Sequence, residues 1–268
     1  MNKKLFFIGI LLSLFSIGEA DVIEKISNIT INWTAQKITI QAEIETPNYL
    51  MGKGYQEEIR EYRTKIKEKI IHELLNGINQ TVFDENRQVG DIFSVFPEKE
   101  TKLISLLTRS NLKDFRYYNK KVYAEYELPL FGKDSLFEIL VLPTIRQDYA
   151  KFVGFSEPKI YTGLLINVQK LDFKLSLSPT IISENGEIIH SYGNVKNGKP
   201  HIYYFETLRD AVHSGIFGDK IYYLFPKEVG GRNKTKIVIS DYDVYRLLST
   251  EENFRIFEEG KVGIITKE

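Results

Sequence analysis

Three places in the chain carry residue types at spacings that chemistry could use. His72-Glu73-Leu74-Leu75 begins the pattern His-Glu-x-x-His, in which two imidazoles four residues apart on one helix hold zinc and the glutamate acts as base. The fifth position is Asn76, so one ligand is missing and the stretch reads as a solvated His-Glu pair at a helix end. Asp241-x-Asp243 follows a strand and could hold a metal. No third ligand lies at a suggestive spacing, however, and the pair reads better as an ordinary helix cap plus a first-turn acid. His190, His201 and His213 could share a metal only if folding gathers them, and nothing in their spacing requires that.

Gly52-x-Gly54 before a long helix offers half of a dinucleotide-binding turn. The third glycine position is Glu57, which would repel a pyrophosphate. No Gly-x-Ser-x-Gly elbow, phosphate-binding loop or calcium loop is present. The sequence therefore nominates no catalytic, cofactor-binding or metal residue, and the expectation is a protein without enzymatic activity.

Composition narrows the classes further. The 268 residues include 36 Lys plus Arg against 36 Asp plus Glu, 43% apolar residues and no cysteine. A neutral chain has no broad electrostatic grip on nucleic acid, which requires clustered basic side chains. Without cysteine there is no disulfide, thiol nucleophile or lipidated N-terminal cysteine. Lys3 and Lys4, the apolar run Leu5 to Ile17 and Gly18-Glu19-Ala20 have the three-part form of a cleavable secretory signal. Its 13 apolar-run residues would rise only about 20 Å as a helix, short of a hydrocarbon core of roughly 30 Å. The expectation is export to the periplasm over residues 1–20, with no stable membrane anchor afterwards. Asn-x-Thr triplets at Asn28, Asn32, Asn79 and Asn233 arise readily by chance and decide nothing.

The aromatic content stands out: 16 Tyr and 17 Phe. Adjacent pairs occur at Tyr117-Tyr118, Tyr203-Tyr204 and Tyr222-Tyr223. Neighbours on a strand point to opposite faces, so one ring of each pair can pack inward while the other meets solvent or a partner. Tyrosine is enriched at protein interfaces, although strand propensity favours it too. These six residues are the candidate interface.

The elements that position them follow from periodicity. Ile29, Ile31 and Trp33, then Ile38, Ile40 and Ala42, alternate on either side of Thr34 to Lys37 as a hairpin. Tyr55, Ile59, Tyr62, Ile66, Ile70 and Leu74 form the stripe of an amphipathic helix of about six turns, expected to stop at Asn76-Gly77. A shorter helix after Pro97 buries Leu103, Ile104, Leu106 and Leu107. Phe115 to Tyr118 and Val122 to Leu130 form a second hairpin, and a helical turn covers Ser135 to Val141. Ile160 to Val168 reads as a strand. Thr180 to Ile182 pairs with Glu187 to Ile189 across Asn185-Gly186, a type I′ turn signal. A short helix is expected over Leu208 to Val212. Lys236 to Ser240, a helix with Val244, Leu247 and Leu248, a turn with Phe254 and Phe257, and Val262 to Ile265 make a β-α-β ending whose strands are expected to pair in parallel. The fold class is mixed α+β: antiparallel hairpins with the long helix packed on them, plus this C-terminal β-α-β unit. Residues 21–145 are expected to form a helix-on-sheet module and 146–268 a mixed α/β module, with the polar connection from Pro143 to Pro158 as the boundary candidate; the alternative is one continuous domain.

Three patches carry a family likeness. Tyr161-Thr162-Gly163-Leu164-Leu165-Ile166 with Leu177-Ser178-Pro179-Thr180-Ile181 and Glu184-Asn185-Gly186 is the first. Lys234-Thr235-Lys236-Ile237-Val238-Ile239-Ser240 with Asn253-Phe254 and Gly260-Lys261-Val262 is the second, and Ile31-Asn32-Trp33 the third. Together they resemble exported bacterial envelope proteins that include flagellar accessory proteins of the outer-membrane ring type and small envelope lipoproteins. The resemblance implies a helix-on-sheet α/β fold and a non-enzymatic structural role in the periplasm, with other periplasmic or flagellar proteins as partners. Two departures matter: the lipidation cysteine is absent, and the helix over residues 55–75 is charged and tyrosine-bearing where relatives carry alanine-rich helices. An unanchored member could coat a periplasmic flagellum, in the way of spirochaete flagellar-coiling sheath proteins. The alternatives are a metal-dependent enzyme using Asp241, Asp243 and a histidine, or a small-ligand carrier with an aromatic pocket.

Overall fold

The structure is a computed structural model that describes residues 20–46, 54–142, 149, 151–154, 157–195 and 199–267. The expected signal segment and most of the expected connection over 143–158 lie outside these residues. The mixed α+β class is what the chain adopts, in three sheets.

The first sheet is antiparallel, with strands β1 (Ile23–Ile26), β2 (Ile29–Asn32), β3 (Lys37–Glu45), β4 (Asp114–Tyr118) and β5 (Lys121–Pro129) in the order β1-β2-β3-β5-β4. Alternation sets its faces. Val122, Ala124, Tyr126 and Leu128 of β5 are buried, while Lys37, Glu125 and Glu127 lie on the other face, where Lys37 and Lys113 pair with Glu127 at 2.8 and 2.5 Å. The β4–β5 turn has positive φ at both Asn119 (50°) and Lys120 (58°), the geometry of a two-residue type I′ connection.

Helix α1 (Tyr55–Gln80) lies on the inner face with Ile66, Ile70, Leu74 and Ile78 buried. It runs past Asn76-Gly77, where the sequence predicts its end. Gly77 serves a different purpose: a Cβ there would meet Ile29 Cγ1 at 2.6 Å, so the missing side chain lets the helix sit directly on β2. Two further helices follow, α2 (Val89–Val95) and α3 (Pro97–Arg109). In α3, Leu103 and Leu107 are buried but Ile104 is exposed, because the buried stripe is narrower than the apolar content suggests. Ser135 caps α4 (Leu136–Leu140) by accepting from the Glu138 N–H.

The second half holds two four-stranded sheets. The first contains β6 (Gly163–Asn167), β9 (Tyr203–Phe205), β10 (Ile221–Leu224) and β13 (Val262–Ile265), all parallel, in the order β10-β6-β13-β9. The second contains β7 (Thr180–Ser183), β8 (Ile188–His190), β11 (Glu228–Gly230) and β12 (Lys236–Ile239), in the order β11-β12-β7-β8. Helix α5 (Leu208–His213) joins β9 to β10 within the parallel sheet, and α6 (Asp241–Leu247) and α7 (Phe254–Glu258) lead from β12 of one sheet to β13 of the other. The expected parallel pairing of the last two strands is not formed. Strand β12 lies parallel to β7 and β13 parallel to β6 and β9, so the β-α-β ending crosses from one sheet to the other. The Asn185-Gly186 turn also differs: only Gly186 has positive φ (85°), and the Ser183 N–H donates to Glu187 O at 2.9 Å around a three-residue loop.

One apolar core runs through both halves, from Val22 and Trp33 to Ile264, and a small satellite core of Leu165, Phe205, Ala211, Phe217 and Ile265 lies on the other face of the parallel sheet. The turn after α1 locks the halves together. The carbonyls of Val82 and Phe83 accept from the N–H groups of Leu177 (3.0 Å) and Ser178 (2.6 Å), and Glu85 O accepts from the Asn233 N–H (2.9 Å). The Asn233 side-chain amide donates to Asp84 O at 2.9 Å and Arg87 O at 3.3 Å, and Lys236 pairs with Glu85 at 2.6 Å.

Candidate functional site

The six expected tyrosines do not share one face. On edge strand β4, Tyr117 is half-buried against the main core and Tyr118 is 72% exposed. Tyr204 is core: its hydroxyl donates to Ser176 O at 2.8 Å, its ring meets Trp33 edge-on at 5.4 Å, and burial raises its pKa. Tyr203 points the other way, to Phe217 at 6.1 Å. On β10, Tyr223 accepts from the Asn167 amide at 2.5 Å, while Tyr222 donates to Asp243 Oδ1 at 2.6 Å. The alternation holds, but the parallel sheet is covered on both faces, so an outward tyrosine there meets protein instead of solvent.

Tyr222 leads instead to a cluster on α6. Ser240 caps this helix, accepting from the Asp243 N–H at 3.1 Å and donating to Asp243 Oδ2 at 2.5 Å. Val244 and Leu247 face the core, which turns Tyr242, Tyr245 and Arg246 outward. The Arg246 guanidinium donates to Tyr161 OH at 2.8 Å and to Tyr242 OH at 2.9 Å. Tyr161 packs on Tyr222 at 4.7 Å, and Tyr245 stacks on Phe152 at 4.0 Å with 11° between the rings. Burial, and then the hydrogen bond to the Asp243 carboxylate, push the Tyr222 hydroxyl upward in pKa. The result is a rigid arginine–tyrosine surface in which Tyr242 is 58% and Tyr245 38% exposed, beside Val153 at 87%. Tyr161, Tyr242, Tyr245 and Arg246 were not singled out by the tyrosine pairs. The available signal was Tyr242, Tyr245 and Arg246 at steps of three and four, off the Val244/Leu247 stripe.

The residues weighed and set aside for metal chemistry in the sequence are engaged elsewhere. Asp243 is held by Tyr222 and Ser240, while Asp241 Oδ2 accepts from Asn185 at 2.6 Å and the Asp241 N–H donates to Glu184. His72 lies 3.1 Å from the Asn76 amide and Glu73 is 3.8 Å from Lys69, so the expected His-Glu pair is two separate pairs. Gly54 precedes α1 as its cap, and Gly52 lies outside the described residues. His213 is exposed on α5, with Nδ1 2.7 Å from Arg209 O. Among the described residues no group of three His, Asp or Glu side chains is placed to hold a metal, and no helix is long and apolar enough to cross a membrane.

Folding does gather two histidines. His190 and His201 are fully buried, with ring centroids 6.5 Å apart and His190 Nε2 donating to His201 O at 2.7 Å. Burial drives His190 down to about 4 and His201 to about 3, so both are neutral at pH 7. Ten residues of intervening chain hid this approach.

A search of curated proteins finds no match to the chain. Residues 163–268, from the first residue of β6 onward, are similar to the family described as Treponema pallidum Tp0624, second domain. That segment carries both small sheets and α6, without Phe152, Val153 and Tyr161 of the cluster around it, and it is well under half of the chain.

Proposed function

We propose that this chain is an exported, non-enzymatic structural or assembly protein that works by binding other proteins in the periplasm, with the flagellum, as filament sheath or basal-body accessory, as its setting. The observation that carries the reading is the arginine–tyrosine surface of α6. Arginine and tyrosine dominate binding hot spots because a large ring or planar guanidinium buries much area at little entropic cost. Here both are held in place before any partner arrives, by the Arg246 bonds to Tyr161 and Tyr242 and the stack of Tyr245 on Phe152. The binding surface thus moves from the three tyrosine pairs to α6, with Tyr222 as the shared residue. Similarity of residues 163–268 to a domain of a spirochaete protein fits a spirochaete source for the chain and does not by itself bear on the flagellar setting.

The test is capture of partners from an envelope extract by purified protein and by the Tyr242→Ala, Tyr245→Ala double variant. Both residues are exposed, so the fold should persist with an unchanged melting temperature. Two hot-spot truncations at about 2 kcal/mol each predict loss of capture, a weakening on the order of a thousandfold. Equal capture by both proteins would remove α6 from the interface. Fractionation with purified flagella, and the motility of a deletion strain, test the setting separately.

A further inference from the structure

The arginine–tyrosine surface of α6 offers a partner hydrogen-bond donors. The Arg246 guanidinium gives its Nε–H to Tyr161 OH at 2.8 Å and an Nη1–H to Tyr242 OH at 2.9 Å, both neutral oxygens. It forms no ion pair among the described residues: of the two carboxylates on its own helix, Asp243 is held by Tyr222 and Ser240, and Asp241 by Asn185. The Nη2 N–H groups are left over. So is the O–H of Tyr161, whose oxygen accepts from Arg246 while its proton has no acceptor among the described residues.

A donor cluster with a positive charge selects what can cover it. A neutral carbonyl would satisfy one N–H but leave the guanidinium uncompensated once water is displaced, which is costly. A carboxylate supplies acceptors and the opposite charge together, and charge-assisted bonds of this kind are the strong ones. The exposed Tyr242, Tyr245 and Val153 flank this helix face and shed water when a partner seats on them. Arg246 is the single cation on α6, whereas an anionic membrane is held by several Lys and Arg together. A protein segment fits the surface better than a lipid layer does.

We propose that the protein segment docking on α6 carries an aspartate or glutamate whose carboxylate accepts from Arg246 Nη2–H and Tyr161 O–H, with an aromatic or aliphatic neighbour seated on Tyr242, Tyr245 and Val153. This rests on the reading of α6 as the binding surface and adds the chemistry of what binds there.

Affinity selection of a random dodecapeptide library on the full purified protein, followed by fluorescence anisotropy with the enriched peptides, tests this. The expected peptides carry Asp or Glu next to an aromatic or aliphatic residue. Changing that acid to its amide should weaken binding to the unaltered protein at least about tenfold, the value of one charge-assisted bond. Arg246→Gln should weaken the acidic peptide by the same factor and bind acid and amide peptides alike. Arg246→Lys, which keeps the charge without the fork, should fall between. The acid-to-amide comparison is made on the unaltered protein, so it stands even if Arg246→Gln does not fold. Enriched peptides that lack an acid, or an amide peptide that binds as tightly, would overturn the proposal while leaving α6 as the surface, provided the Tyr242→Ala, Tyr245→Ala variant loses them. Peptides that bind this variant undiminished, or no enrichment at all, would remove α6 itself and the proposal with it. Binding to phosphatidylglycerol vesicles that Arg246→Gln abolishes would assign the guanidinium to a lipid headgroup and overturn the proposal likewise.

Discussion

The buried histidine pair makes the fold sensitive to mild acid, and the size of the effect follows from the structure. Unfolded, each imidazole titrates near 6.5; folded, His190 titrates near 4 and His201 near 3 because burial disfavours the imidazolium. The folded values are depressed, so the unfolded chain takes up these protons first. Stability from this source is complete above about pH 6.5 and drains away as pH falls toward the folded values. Between pH 7 and pH 5 the linkage integral comes to about 2 kcal/mol for each histidine, about 4 kcal/mol for the pair, against a total stability of roughly 5–15 kcal/mol for a folded domain. Urea denaturation at the two pH values measures it. His190→Gln retains a side-chain donor for the His201 carbonyl and does not ionise, so its pH 7 to pH 5 loss should be smaller by about 2 kcal/mol, a difference that cancels the carboxylates common to both proteins. Equal losses in the two proteins would refute the assignment of the acid sensitivity to this pair.

Two further substitutions probe the packing. Gly77→Ala improves helix propensity by about 1 kcal/mol. The new Cβ, however, lies 2.6–2.9 Å from three carbons of the buried Ile29, and overpacking of this kind costs about 1–3 kcal/mol; the net expectation is a lower melting temperature by differential scanning calorimetry. Asn233→Ala leaves the carbonyls of Asp84 and Arg87 without its amide. A destabilisation of about 1–2 kcal/mol in chemical denaturation, with faster proteolysis within residues 81–88, is the expected result.

Legibility in the sequence tracked how local the determining physics was. The β2–β3 and β4–β5 hairpins could be read because Ile38, Ile40, Val122 and Leu128 alternate with polar residues over an open face. Ser135 and the last helices could be placed because caps act within three residues. Strands β9, β10 and β11 were missed: they are three or four residues long, and β9 and β10 belong to a sheet covered on both faces, where side chains still alternate in direction but not between apolar and polar. Strand β1 has four residues and no buried position, so it lacks a pattern of its own. Gly77 was read as a stop because propensity is a weak prior, and here the tertiary contact with Ile29 prevailed. The α6 surface and the His190–His201 approach depend on Tyr161, Tyr222, Phe152 and Leu177, which only the folded chain brings near.

The turn joining α1 to α2 has a consequence for anyone altering this molecule. Short polar bends with an Asp-Glu-Asn run, such as Asp84-Glu85-Asn86, are where reporter peptides, fusion partners and new chain ends are ordinarily placed, since such bends serve only to reverse direction. This one behaves as a rivet. Its carbonyls at Val82, Phe83, Asp84 and Glu85 are all spoken for by residues about a hundred positions or more downstream, and Gly231 is backed so closely against Glu85 that even a methyl group there would collide with it. A grafted peptide at this bend would pry the two halves apart, whereas the Asn119-Lys120 tip is exposed and its Lys120 carbonyl accepts from Thr46 in the same half of the chain, so it is the better place to attach one.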